Sequence, residues 1–189
     1  MKRILTSLAM IAVVAVVGVG ATRAFFSDSV TSSGNTFSAG TMELDVNGTH
    51  SLTTPLINIS NIKPGDNSVT LGTTVSFPVK NNGTVNGFLN LVGNTVSVTQ
   101  GTGAGHISNG HSLGDLLTVT IKAGTTTLYS GTLSGLTTAT MADFSLAAGA
   151  STTVTVDWNW TSNLGTIDNG AQGDSALVGL GFNLSQNSL

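Results

Sequence analysis

The stretch TTVTVDWNW, residues 152–160, decides the class of fold. Val154, Val156, Trp158 and Trp160 take every second position, with Thr, Asp and Asn between them. A side-chain period of two places the four apolar groups on one face of an extended chain and the polar groups on the other. Two tryptophans on one strand face pack into a core more often than they form a sugar-binding platform, so both are assigned to the core.

The same alternation recurs on either side. In VTLGTTVSFPV (69–79), Val69, Leu71, Val75, Phe77 and Val79 share one parity. Pro78 lies on the other parity and has no N–H to give a ladder, which marks an edge strand or a bulge. KNNG (80–83) follows as a turn, its Asn-Gly pair a hairpin signal. In ALVGLGFNL (176–184) Ala176, Val178, Leu180, Phe182 and Leu184 alternate. Shorter candidates are TMELDV (41–46), PLINISNI (55–62), GFLNLV (87–92), TVSVT (95–99), LLTVTIK (116–122) and LYSGTL (128–133). MADFSLAAG (141–149) is the one helix candidate of the region, and reads equally as a crossing loop. Eight to ten short strands with Gly- and Asn-rich turns predict an all-β protein, a jelly-roll or Greek-key β-sandwich, as one domain over 37–189.

The N-terminus differs in kind. Lys2 and Arg3 precede an apolar run from Ile4 to Gly20, and the small residues Thr22 and Ala24 follow. That is the layout of an export signal over 1–24, cleaved between Ala24 and Phe25. The competing reading is an uncleaved membrane anchor, because the run approaches the ~20 residues a span needs. Cleavage removes three of the six basic residues and none of the nine acids. The remaining three against nine give a formal charge of −6, which argues against a nucleic-acid partner. Only 8% of the chain is charged, so its surface repels copies of itself weakly. No cysteine is present, and stability must come from packing or from assembly.

Sites of chemistry are sparse. The loop QGTGAGHISNGHSLGD (100–115) holds His106, His111 and Asp115, a weak zinc candidate. The histidines are five apart in a glycine-rich loop, and no HExxH occurs. Asp157, Asp168 and Asp174 could face one another as paired acids, although single Asp residues in turns are usually turn formers. Calcium held by Asp- and Asn-bearing loops suits an extracellular protein better than zinc does. No G-x-S-x-G elbow is present, so no catalytic residue and no cofactor is assigned.

Three stretches together resemble the TasA/camelysin family, whose members pass through a dedicated type of signal peptidase. ATRAFFSDSVTSSGNTFSAGTMELDV (21–46) is similar to the family's signal junction and first strand. ISNIKPGD (59–66), followed by a strand and KNNGT (80–84), matches next, and QGDSALVGLGFNLSQN (172–187) resembles the closing strand. The resemblance implies a secreted subunit that polymerises head-to-tail, by donor-strand complementation, into extracellular filaments of a biofilm matrix or bundling pili. Residues 25–36 would be the flexible donor segment, and Phe25, Phe26, Val30 and Phe37 its interface residues. The partner would be a second copy of the chain, with an accessory or anchoring subunit and with the membrane met only during export. The family also carries a peptidase label. A camelysin-like surface metallopeptidase is therefore the alternative function, and a type IV-like pilin that keeps its hydrophobic segment is a further one.

Overall fold

The computed structural model describes residues 2–24, 39–49, 62–102, 106, 108–162 and 166–188. Two compact units divide the chain, Met1–Ala39 and Gly40–Leu189. In the first, helix α1 covers Lys2–Ala24, 23 residues of the segment read as an export signal. No helix among the described residues is long and apolar enough to cross a membrane.

The second unit is an all-β sandwich. Ten strands follow in order: β1 (Leu44–Val46), β2 (Val75–Asn81), β3 (Gly87–Leu91), β4 (Thr95–Thr99), β5 (Leu117–Ala123), β6 (Thr126–Thr132), β7 (Phe144–Leu146), β8 (Ser151–Trp160), β9 (Ser175–Gly179) and β10 (Phe182–Ser185). One layer is a five-stranded antiparallel sheet ordered β1-β2-β8-β5-β6. The other consists of β10-β3-β7 and β4-β9. These two ladders meet where the Val92 N–H donates to Gly181 O at 2.9 Å, so β3 runs on into β4 and β9 into β10 across a local break. The layers enclose one core, and Phe77 of β2 meets Phe182 of β10 edge-on with centroids 5.7 Å apart.

The stretch TTVTVDWNW is β8, flanked on both sides by β2 and β5. All four of its alternating apolar residues are buried, so the period-two reading holds in full.

Four details depart from the sequence reading. Val69 and Leu71 do not extend β2. They lie in a one-turn helix, α2 (Ser68–Leu71), and are exposed. The Asn67 side chain accepts the Thr70 N–H at its start, and Gly72 ends it with φ of +64°. MADFSLAAG holds strand β7 and no helix. ALVGLGFNL is two strands, because the chain breaks at Leu180 and Gly181; a Cβ on Gly181 would lie 1.9 Å from Val92 O.

The fourth is KNNG, which joins no hairpin. β2 and β3 belong to different layers, so the turn arches across the sandwich. Pro78 in turn sits in an interior strand, yet only where that strand is locally an edge. The β1 ladder ends at Val46↔Val79, and Pro78 O takes the Asn47 N–H of the following turn. Its missing N–H points toward that same finished side and removes no bond to β8.

Candidate functional site

Between the layers lies an apolar groove of about 870 Å³. Its floor is the inward face of β5 and β8, with Val119, Ile121, Val156, Trp158 and Trp160. Its opposite wall is β9, through Ala176 and Val178, continued by Leu180. The floor residues are buried, whereas the inward residues of β9 and β10, from Ala176 through Leu184, are all half-exposed. Among the described residues β9 pairs only with β4, and β10 only with β3. The outer edge of this layer thus has no described neighbour beside an apolar interior.

Polar side chains frame the groove. The turn Lys63–Asp66 closes one end. Gly65 N–H donates to Trp160 O at 2.7 Å, and Trp160 N–H donates to Asp66 O at 2.9 Å. Asp168, 7% exposed, accepts the Trp160 indole N–H at 3.2 Å and the Ser162 hydroxyl at 3.5 Å. Asp174 has a fully buried side chain. It accepts the backbone N–H groups of Gly101 at 2.8 Å and Leu113 at 2.9 Å, tying the long loop to the start of β9. Only a glycine fits at 101, since a Cβ there would lie 2.4 Å from Gln172 O. Trp158 is the exception: its buried indole nitrogen has no hydrogen-bond partner among the described residues.

The zinc candidates are not brought together. His106 approaches Asp174, with Nε2 3.9 Å from Oδ1. Asp115 instead forms a capping box at the one-turn helix α3 (Leu113–Leu116), accepting the Ser112 N–H at 3.1 Å and its hydroxyl at 2.8 Å. No group of three metal-ligating side chains occurs among the described residues. Of the three acids, Asp168 and Asp174 line the groove and Asp157 does not. Asp157 faces outward and accepts the Ser68 and Thr74 hydroxyls, while Asp168 and Asp174 are engaged as above. Phe25, Phe26, Val30 and Phe37 lie outside the described residues.

The Ser112 hydroxyl holds the Asp115 carboxyl below its ordinary 3.8, against a smaller opposing effect of burial. A lowered folded value stabilises above the unfolded one, and that share is lost as pH falls below 3.8 through the folded value. Asp115→Asn is expected to flatten this part of the acid limb in pH-dependent thermal melts. An acid limb unchanged from the parent would refute the assignment.

A family model described as camelysin metallo-endopeptidase matches residues 1–188. The chain belongs to the camelysin family. No curated protein matches it. As a camelysin-family chain it is a secreted or cell-surface protein. Two of the three stretches that carry the resemblance meet at the groove: KPGD closes its end, and QGDSALVGLGF forms its rim and wall. The family's peptidase description has no counterpart in a metal-ligand cluster among the described residues. Sequence reasoning did not single out Asp174 as the tie between loop and β9, and it placed Trp158 in the core without marking it as groove wall. Alternation reports that a face is apolar, not whether the layer opposite is complete.

Proposed function

We propose that the protein is a structural subunit that polymerises head-to-tail into extracellular filaments, of a biofilm matrix or of bundling pili. Export signal 1–24 is removed after Ala24, and segment 25–36 of one copy enters the groove of the next. The observation that carries this reading is the apolar groove beside β9, whose inward side chains are half-exposed while the facing floor is buried. An extended segment placed there gains ladder hydrogen bonds along β9 and buries alternate side chains. The contact is heterologous, so repetition gives an open filament. Phe25 and Phe26 supply the apolar load, with Val30 after them and Phe37 nearer the fold.

Electron microscopy of the purified extracellular material, with its intact mass, tests the reading. Filaments built from chains that begin at Phe25 are expected; dispersed particles at high concentration would refute it. The mass also decides against or for a pilin, which would keep α1. The family description favours one other reading, a surface metallopeptidase. That enzyme would carry stoichiometric metal and show proteolysis abolished by a chelator. Metal analysis of the purified protein is expected to find none.

A further inference from the structure

We propose that Trp158 is the positioning residue of the groove: its indole N–H takes an oxygen acceptor from the strand a second copy inserts, and so fixes that strand's register. The inference rests on the donor-segment reading above. Trp158 is 3% exposed, and its indole nitrogen, closed to water, donates to nothing among the described residues. A buried tryptophan N–H ordinarily has a partner, as Trp160 has in Asp168.

Among the described residues no acceptor reaches the Trp158 indole N–H. Its neighbours on the inward face are Val156 and Trp160 along β8 and Val119 across β5; the valines carry no polar atom and the Trp160 indole is itself a donor. The two carboxylates of the groove are turned to other donors, Asp168 to Trp160 and Ser162, Asp174 to Gly101 and Leu113. On this reading the occupant of the groove completes the donor.

The N-terminal segment carries a matching oddity. Phe26, Asp28 and Val30 share one parity. A strand that turns Phe26 and Val30 inward turns Asp28 inward as well. A carboxylate in an apolar interior needs a donor. Trp158 supplies one, and the Asp28 carboxylate is the acceptor its chemistry fits best. A backbone carbonyl of the same strand offers the same oxygen and is distinguished by the test. Reach is no obstacle: residues 25–38 span roughly 46 Å when extended, against about 17 Å for the five residues of β9.

The test uses the mature chain from Phe25, with Phe25→Ser and Phe26→Ser to stop it inserting into its neighbours, and a synthetic peptide of residues 25–33. The chain has two tryptophans, so two indole N–H resonances report. Adding peptide is expected to move one of them downfield and protect it from exchange, while the other, bonded to Asp168, stays. Trp158→Phe in the same chain should weaken peptide binding about tenfold or more where the Asp28 carboxylate accepts, the share of one hydrogen bond to a charged group, and about three- to tenfold where a carbonyl does, beside the fall in melting temperature that a smaller buried ring brings. A purely structural tryptophan would lower the melting temperature and leave affinity alone. Asp28→Ala in the peptide reproducing that loss, with no further loss against Trp158→Phe, identifies the carboxylate; no loss identifies a carbonyl. Peptide that binds with both indole resonances unmoved overturns the role of Trp158 and leaves the filament reading standing. Peptide that does not bind at all overturns the filament reading. Should Trp158→Phe not fold, the indole spectra of its parent decide.

Discussion

A chain in which Phe25 and Phe26 are both replaced by Ser is expected to be exported, to fold and to melt as the parent does, and to form no filaments. Burying the inward Phe26 contributes about 1.5–3 kcal/mol per subunit contact before ordering costs, and Phe25, on the other face of the inserted strand, adds what the neighbouring subunit covers of it. That is close to the whole margin by which an inserted strand outweighs the freedom it loses, because the ladder hydrogen bonds it makes replace bonds to water. Serine removes the apolar term and keeps the backbone donors and acceptors. Deleting residues 25–33 removes both and should have the same result. Leucine at both positions keeps most of the apolar area and should restore assembly at a raised protein concentration. Electron microscopy and sedimentation read the filaments, and thermal melting reads the fold. Normal filaments from the Ser variant would end the donor-segment proposal. A collapsed melting transition would place the two rings in their own subunit's core.

How far the sequence could lead is clearest at β8 and at the groove. Val154, Val156, Trp158 and Trp160 alternate because β8 is flanked by strands on both sides and covered on one face only, so a strict period of two survives. The same alternation in Val69 and Leu71 misled, since a side-chain cap at Asn67 and a left-handed Gly72 stop a helical turn there. Local capping outweighed a two-residue extension of the pattern. In ALVGLGFNL parity passed unbroken through Leu180 and Gly181 although the strand did not. The groove itself was out of reach, because it is a property of which strand lacks a neighbour. Only the family resemblance pointed to it. His106, His111 and Asp115 gathered in the sequence through one long loop, but Asp115 turned to its helix cap and His106 toward Asp174.

The two asparagines of KNNG make the sharpest case, and Asn81→Ala should be among the most destabilising single changes in the sandwich. Asn81 is wholly buried where the chain leaves β2 for the other layer. Its amide nitrogen donates to Val85 O at 2.9 Å and to Leu146 O of β7 at 3.2 Å, and its amide oxygen accepts the Gly83 N–H at 3.0 Å. One side chain thus binds the arch to itself and one layer to the other. The arch is already tight, for a Cβ on Gly83 would lie 2.3 Å from Thr41 O. Alanine takes the partner from three backbone groups, two of them in buried bonds, and leaves a void. At about 1–3 kcal/mol for each unmet group, partly relieved by relaxation, the loss should be about 3–5 kcal/mol in urea unfolding. That is a large part of the 5–15 kcal/mol typical of a domain. Asn82, adjacent and exposed, is held among the described residues by its backbone N–H, toward Glu43 O. Asn82→Ala should stay within about 0.5 kcal/mol. Asn81→Asp separates hydrogen bonding from shape. It keeps the acceptor for Gly83 but turns a carboxylate toward two carbonyl oxygens, so at neutral pH it should cost more than alanine. Burial and those carbonyls raise the new carboxyl's folded pKa, and a raised value gives stability that returns as pH falls. Asn81→Asp should therefore regain stability between pH 7 and 5, while Asn81→Ala should not. Equal losses at positions 81 and 82, or a flat pH response for Asn81→Asp, would show that the arch is held by its backbone alone.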